Sequence, residues 1–194
     1  MTDYFPAFLD LRGRRCVVVG GGTIGGRKAR DLLSAGADVT VVSPRLGPDL
    51  SVLVRVGRLA HRPRQFRRAD VRGATLVIAA TGVPGVDAAV AAEARRRRVL
   101  VNVVDRPAAC DFILPSVLRR GHLQVAVSTG GRSPALAREI RRRLERLIGP
   151  EYAELIERVG EARDRARALA PTAAARLAAG ERVVAEALEV FATH

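Results

Sequence analysis

Two short stretches of this sequence combine residue types that could do chemistry. The first, "CVVVGGGTIGG", sets Gly20, Gly22 and Gly25 at the spacing GxGxxG directly after an apolar run. The three glycines would act differently, since Gly20 permits a tight turn, Gly22 lets the backbone approach a pyrophosphate, and Gly25 lets helix and strand pack closely. Free N–H groups at the start of the following helix would then face the phosphates. The second stretch, "NVVDRPAACDF", puts Asp105 directly after the apolar run "VLVNVV". A carboxylate leaving a buried parallel strand stands on the edge where ligands bind, so Asp105 is a candidate proton acceptor. The same position suits a turn residue that pairs with Arg106 or caps the next turn, and spacing leaves both readings open.

Other reactive arrangements are missing. No GxSxG, HExxH or Walker A pattern occurs, which removes the commoner hydrolase and metalloprotease chemistries. His61, His122 and His194 are isolated, and Cys16 and Cys110 form no CxxC pair, so no metal-ligating set is expected. Cys16, inside an apolar strand, reads as core.

Two further stretches bear on binding. At the end of the second expected strand, where an acid would hold the adenosine ribose, the chain has Ser43, Pro44 and Arg45. Arg45 would suit a 2′-phosphate, while Ser43 or backbone groups would suit a ribose hydroxyl, so these residues alone do not choose between NAD and NADP. In "STGGRSP", Gly130 and Gly131 could turn N–H groups toward a substrate carboxylate beside a helix start. An ordinary start to a helix fits them equally well.

The elements that must position these residues follow from periodicity. "RRCVVVGGGTIGGRKARDLLSAGADVTVVSP" reads as a βαβ unit: a strand from Cys16 to Val19, the glycine turn, a helix to about Ser34, and a strand from Val39 to Val42. "GRLAHRP" reads as a short third strand. "ATLVIAAT" is a fourth, ending at Thr81 and Gly82, and the helix "GVDAAVAAEARRRR" and strand "VLVNVV" complete the alternation. "FILPSVLRRGHLQVAVSTGG" then breaks that rhythm as two strands with a turn near Arg120 and Gly121. After it, Ser133 caps a helix whose Leu136, Ile140, Leu144 and Leu147 share one face and which stops at Gly149 and Pro150. Its arginines Arg138, Arg141, Arg142 and Arg143 read first as a solvated face. From Glu151 onward two helices broken at Pro171 are expected, for packing or dimerisation.

Composition bounds the partners. The 194 residues carry a formal charge of +13, which favours anionic partners electrostatically. Lys28 is the sole lysine, so the charge is nearly all arginine, and an arginine-favouring genome explains it as well as a selected surface does. Only 4% of residues are aromatic and none is tryptophan, which argues against base-stacking nucleic-acid binders. No stretch reaches the roughly 20 apolar residues of a membrane span. Neither a nucleic-acid nor a membrane partner is therefore expected, and a reducing cytoplasm is the expected compartment.

Taken together, "FPAFLDLRGRRCVVVGGGTIGGRKARDLLSAGADVTVVSP", "NVVDRPAACDFILPS" and "VAVSTGGRSPALAREIRRRLE" resemble the precorrin-2 dehydrogenase and sirohydrochlorin ferrochelatase family, the dehydrogenase module of sirohaem synthase. The similarity runs from about Tyr4 to Gly149 and is weaker in the helices beyond. It implies NAD-dependent oxidation of precorrin-2 to sirohydrochlorin, with insertion of ferrous iron in some members. The family's catalytic aspartate corresponds to Asp105, and its NAD contacts after the glycine turn and the second strand correspond to Thr23, Ile24, Pro44 and Arg45; the fingerprint glycines Gly20, Gly22 and Gly25 and the strand-end Thr81 complete the expected cofactor site. Ser128, Thr129, Gly130 and Gly131 form the expected substrate-binding loop. The implied architecture is α/β: a Rossmann-like doubly wound parallel sheet over 1–112, a dimerisation segment over 113–149 and a C-terminal helical domain over 150–194, assembled as a homodimer.

Two departures qualify the resemblance. The methyltransferase module of trifunctional members has no counterpart up to His194, so uroporphyrinogen methylation is expected of another protein. The family's modifiable serine loop, "SSGGxSP", has Thr129 at its second position. An NAD-sensing regulatory module without catalysis is the alternative, but such modules usually keep the ribose-binding acid and lack "NVVD" and "STGGRSP".

Overall fold

A computed structural model describes residues 4–170 and 172–192. They divide into two compact units, Met1–Ile113 and Leu114–His194.

In the first unit, valine-rich runs too short for helices become strands buried on both faces. β1 (Arg15–Val19), β2 (Asp38–Val42), β3 (Ala60–Arg62), β4 (Leu76–Ala79) and β5 (Leu100–Val103) form one sheet in the order β3-β2-β1-β4-β5. All its pairings are parallel, with Val17 opposite Thr40 on one side and Val77 on the other. Alternation divides the side chains between two cores. Cys16, Val18, Val39, Val41, Leu76 and Ile78 pack with Ala29 and Leu32 of α1 (Thr23–Ser34) and Leu50 of α2 (Pro48–Arg55). Val17, Val19, Val77, Ala79, Val101 and Val103 pack with Val90, Ala91 and Ala94 of α3 (Pro84–Arg96). Burying each such valine contributes roughly 1.5–3 kcal/mol.

Strand order reverses between β1 and β4, so the loops leaving those strands open a crevice at the carboxyl edge of the sheet. α2 was not anticipated from sequence: it starts after Gly47 at Pro48, spans only eight residues, and packs Leu50, Leu53 and Val54 against the core.

An ion-pair cluster fixes the crossover from β3 to β4. Asp70 is fully buried and accepts from Arg62, from both terminal nitrogens of Arg64 at 2.7 and 2.8 Å, and from the Arg67 N–H at 2.8 Å. Burial pushes its carboxyl up, but the Arg64 bonds, the Arg67 amide and Arg62 outweigh this and hold it at about 2.

In the second unit, β6 (Ser116–Arg120) and β7 (Leu123–Val127) form an antiparallel pair around a turn at Gly121, whose φ is +55°. β6 starts later than the apolar run that contains it, beyond Pro115. α4 (Pro134–Leu147) begins as expected, with the Ser133 hydroxyl accepting the Leu136 N–H at 3.2 Å. Its end is tied to β6 by Arg120, which donates to the carbonyl of Ile148 at 3.0 Å. Leu136, Ile140 and Leu147 of its apolar face stay exposed in the single chain. α5 (Tyr152–Leu169) and α6 (Ala173–Ala192) follow; Pro171, where a break was expected, lies outside the described residues.

Candidate functional site

The glycine turn is built from backbone contacts that leave no room for side chains. Gly20 sits at φ +122°, and a Cβ there would lie 2.3 Å from the carbonyl oxygen of Ala80. A Cβ on Gly25 would lie 2.2 Å from the carbonyl oxygen of Gly20, so the start of α1 rests on the turn itself. Gly22 differs: nothing lies within 4 Å of where its Cβ would be. That open space faces the start of α1, which no side chain caps and whose first turn holds no acid. The first helical bond there runs from the Gly26 N–H to the Gly22 carbonyl, so the preceding amides have no intrahelical acceptor. Unshielded donors beside an open approach suit a pyrophosphate, and the residues present fit a dinucleotide. Thr23 and Ile24 are exposed at the same helix start.

Gly21, which the spacing GxGxxG leaves unspecified, is as tightly enclosed as Gly25. A Cβ there would lie 2.2 Å from the Arg45 carbonyl and 2.7 Å from the Ser43 hydroxyl. The loop after β2 is pulled onto the turn by the Gly47 N–H, which donates to the Gly21 carbonyl at 2.8 Å. Ser43 is buried and its hydroxyl donates to the Arg45 carbonyl at 2.7 Å, so it is a loop brace and not an available ribose ligand. His61 donates through Nε2 to the Ser43 carbonyl at 2.9 Å. Pro44 and Arg45 are exposed beside this brace.

At the end of β4, the Thr81 hydroxyl donates to Asp87 at 2.7 Å and its N–H donates to the same oxygen at 3.2 Å. The Thr81 hydroxyl also accepts the Val83 N–H at 3.0 Å. Thr81 therefore shapes the turn into α3, with its N–H and its hydroxyl both engaged in that turn. The buried Asp87 that holds it sits one helical turn into α3, where it also favours the helix dipole.

Asp105 follows β5 on the same carboxyl edge. It is exposed and adopts φ +59°, a left-handed conformation that asparagine and aspartate tolerate better than most residues. Val104, just before it, packs with the core that contains Ala29 of α1. The neighbouring Lys28 is half-buried; burial pushes its ammonium down, Arg27 adds to this, and the charges of Asp31 and Asp105 act against both. The sole lysine of the chain thus lies within the field of Asp105, which composition did not reveal.

Ser128, Thr129, Gly130 and Gly131 lie in the second unit, between β7 and α4. Their loop is internally bonded: the Gly130 N–H donates to the Ser128 hydroxyl at 3.1 Å, and the Ser133 N–H to the Thr129 hydroxyl at 3.0 Å. Gly130 and Gly131 take φ of +61° and +83°. Of the two glycine amides expected to face an anion, that of Gly130 is turned inward. Three of the α4 arginines also pair within their helix, Arg141 with Glu145 and both Arg142 and Arg143 with Glu139. Among the described residues no group of three or more His, Cys, Asp or Glu could hold a metal ion.

Comparison with known proteins identifies the family and the fold. The family model described as putative NAD(P)-binding matches residues 7–116, and that of the sirohaem biosynthesis protein central segment matches residues 120–147. The expected cofactor, NAD, accords with the first description, which covers NAD and NADP alike. A siroheme synthase of Methylobacillus flagellatus is 48% identical over 162 residues, spanning 84% of this chain and 35% of the relative. One of Chromobacterium violaceum is 46% identical over 174 residues, spanning 90% and 37%. The chain thus spans about a third of the length of these relatives. Among solved structures, a precorrin-2 dehydrogenase shares the fold with a TM-score of 0.74 at 24% identity, over 96% of this chain and 100% of that one.

Proposed function

Because the chain belongs to the NAD(P)-binding family of sirohaem biosynthesis, we propose that it oxidises precorrin-2 to sirohydrochlorin with NAD⁺. Bound NAD⁺ supplies the acceptor for a hydride. The amides of Thr23, Ile24 and Gly25 hold the pyrophosphate at the open side of Gly22, and the braced loop of Pro44 and Arg45 covers the adenosine end. Asp105 takes the proton that the macrocycle loses with the hydride, so the step yields NADH and a protonated carboxyl that returns its proton to solvent. Arginines attract the many carboxylates of the substrate through charge-assisted bonds.

The observation that carries the reading is the coincidence on one sheet edge of an uncapped glycine turn with an exposed carboxylate in a left-handed turn. The substrate loop of Ser128, Thr129, Gly130 and Gly131 contributes a helix start for a carboxylate. Residues 113–149 serve as a dimerisation segment, which the exposed Leu136, Ile140 and Leu147 of α4 support, and 150–194 as a helical domain. Free thiols at Cys16 and Cys110 suit a cytoplasmic enzyme.

Insertion of ferrous iron, as substrate, into sirohydrochlorin is the further step implied by the resemblance, with Asp105 relieving the pyrrole nitrogens of protons. One assay tests both. Purified chain is mixed with precorrin-2 and NAD⁺, NADH is followed by absorbance, and ferrous ion is then added. NADH formation is expected, and its absence with NAD bound refutes the dehydrogenase. Oxidation without a change in the tetrapyrrole spectrum on adding iron confines the activity to the first step.

A further inference from the structure

The turn that presents Asp105 is closed by the Arg106 N–H, which donates to the Val103 carbonyl at 3.2 Å, and a thiol braces both ends of it. β5 is an edge strand, with one side unpaired by the sheet, and residues 110–112 fold back along that side. The Asp111 N–H donates to the Val101 carbonyl at 2.8 Å, and its carboxylate accepts the Val101 N–H at 3.0 Å. Asn102 donates through Nδ2 to the Phe112 carbonyl at 2.9 Å. Between these bonds stands Cys110. Its Sγ accepts the Val103 N–H at 3.1 Å and lies 3.3 Å from the carbonyl oxygens of both Val103 and Arg106, to which its S–H can donate.

These contacts bracket Asp105 on both sides. At φ +59° Asp105 holds a conformation open to few residues besides glycine, asparagine and aspartate, and here the thiol joins the strand before the aspartate to the turn after it. Cys16 offers the contrast, since it is fully buried among the aliphatic side chains of β1, β2 and β4 and braces no turn. Burial pushes the Cys110 thiol up, so at neutral pH it keeps its proton and can act as donor and acceptor together.

We propose that Cys110 is a positioning residue: its thiol clamps residues 103–106 so that the Asp105 carboxylate points over the carboxyl edge of the sheet. This rests on Asp105 being the proton acceptor. An alanine at 110 leaves the Val103 N–H without its acceptor and lets the turn relax, while serine keeps a donor and an acceptor at nearly the same place.

The test compares Cys110→Ala and Cys110→Ser in the full chain by three readouts: kcat and KM for precorrin-2, NAD affinity, and amide hydrogen exchange at Val103 and Arg106. A carboxylate displaced by about 1 Å is expected to lower kcat of Cys110→Ala by roughly 10- to 100-fold. Its KM and NAD affinity stay near wild type, exchange at Val103 quickens, and Cys110→Ser recovers much of both kcat and protection. Wild-type kcat in Cys110→Ala overturns the inference, as does an equal loss in both variants accompanied by loss of NAD affinity. If the wild-type chain binds NAD but forms no NADH from precorrin-2, the functional reading fails by itself. Exchange then still decides the clamp, and unchanged protection at Val103 in Cys110→Ala overturns it.

Discussion

Replacing Gly22 by alanine separates cofactor binding from folding more cleanly than any other change in the glycine turn. Gly22 adopts φ −79° and ψ −173°, which alanine also adopts, and nothing lies within 4 Å of the new methyl group. The cost to the fold is that of an alanine N-cap, about 0.5–1 kcal/mol. For a chain of this size that lowers Tm by roughly 1–4 °C. The methyl group does, however, fill the approach to the α1 amides. Losing one charge-assisted bond to the pyrophosphate costs about 1.5–3 kcal/mol, so NAD affinity should fall by roughly 10- to 100-fold. Gly21→Ala is the counterpart: its methyl group would lie 2.2 Å from the Arg45 carbonyl and must push the loop after β2 away. Overpacking of that kind costs about 1–3 kcal/mol, and affinity drops because the fold shifts. Calorimetric titration with NAD and thermal unfolding of both variants give the comparison. Wild-type NAD affinity in Gly22→Ala would refute the placement of the pyrophosphate.

Two further outcomes follow from buried carboxylates. Asp70 is held at about 2 against an ordinary 3.8, so its contribution is complete above the unfolded value and is lost as pH falls from about 4 to about 2. Its partners Arg62 and Arg64 are 41% and 31% exposed, which discounts that contribution to about 1–2 kcal/mol. Thermal unfolding of Asp70→Asn should therefore be flatter than wild type across that acid window. Asp87→Ala strands the N–H and hydroxyl of Thr81 and should lower stability by about 1–3 kcal/mol in urea unfolding, while Asp87→Asn, which keeps an acceptor, recovers most of it.

The parts of the molecule legible in sequence are those set by local pattern. The run from Cys16 to Val19, the glycine spacing and the helix to Ser34 form a βαβ unit because apolar periodicity and chain geometry leave few alternatives. The Ser133 cap was readable for the same reason. Contacts that no periodicity or motif encodes were not. GxGxxG leaves Gly21 unspecified, although the loop after β2 excludes any side chain there. Asp87, Asp70 and Cys110 look like an unremarkable helix acid, a loop acid and a stray thiol until folding brings Thr81, Arg62 and Val103 against them. Ser43 was open to a ribose role until its hydroxyl was found bonded to Arg45. Asp105 was visible as the end of a strand, but its left-handed backbone and its proximity to Lys28 belong to tertiary structure.

The central claim is that the Asp105 carboxylate takes the proton lost from the macrocycle. Asp105→Asn tests it most directly, because asparagine also tolerates φ +59° and so removes the charge without disturbing the turn. The rate of NADH formation from precorrin-2 under single-turnover conditions is the measurement. The account predicts a fall of roughly 10²- to 10⁴-fold with NAD affinity unchanged. Turnover of Asp105→Asn at the wild-type rate would contradict it.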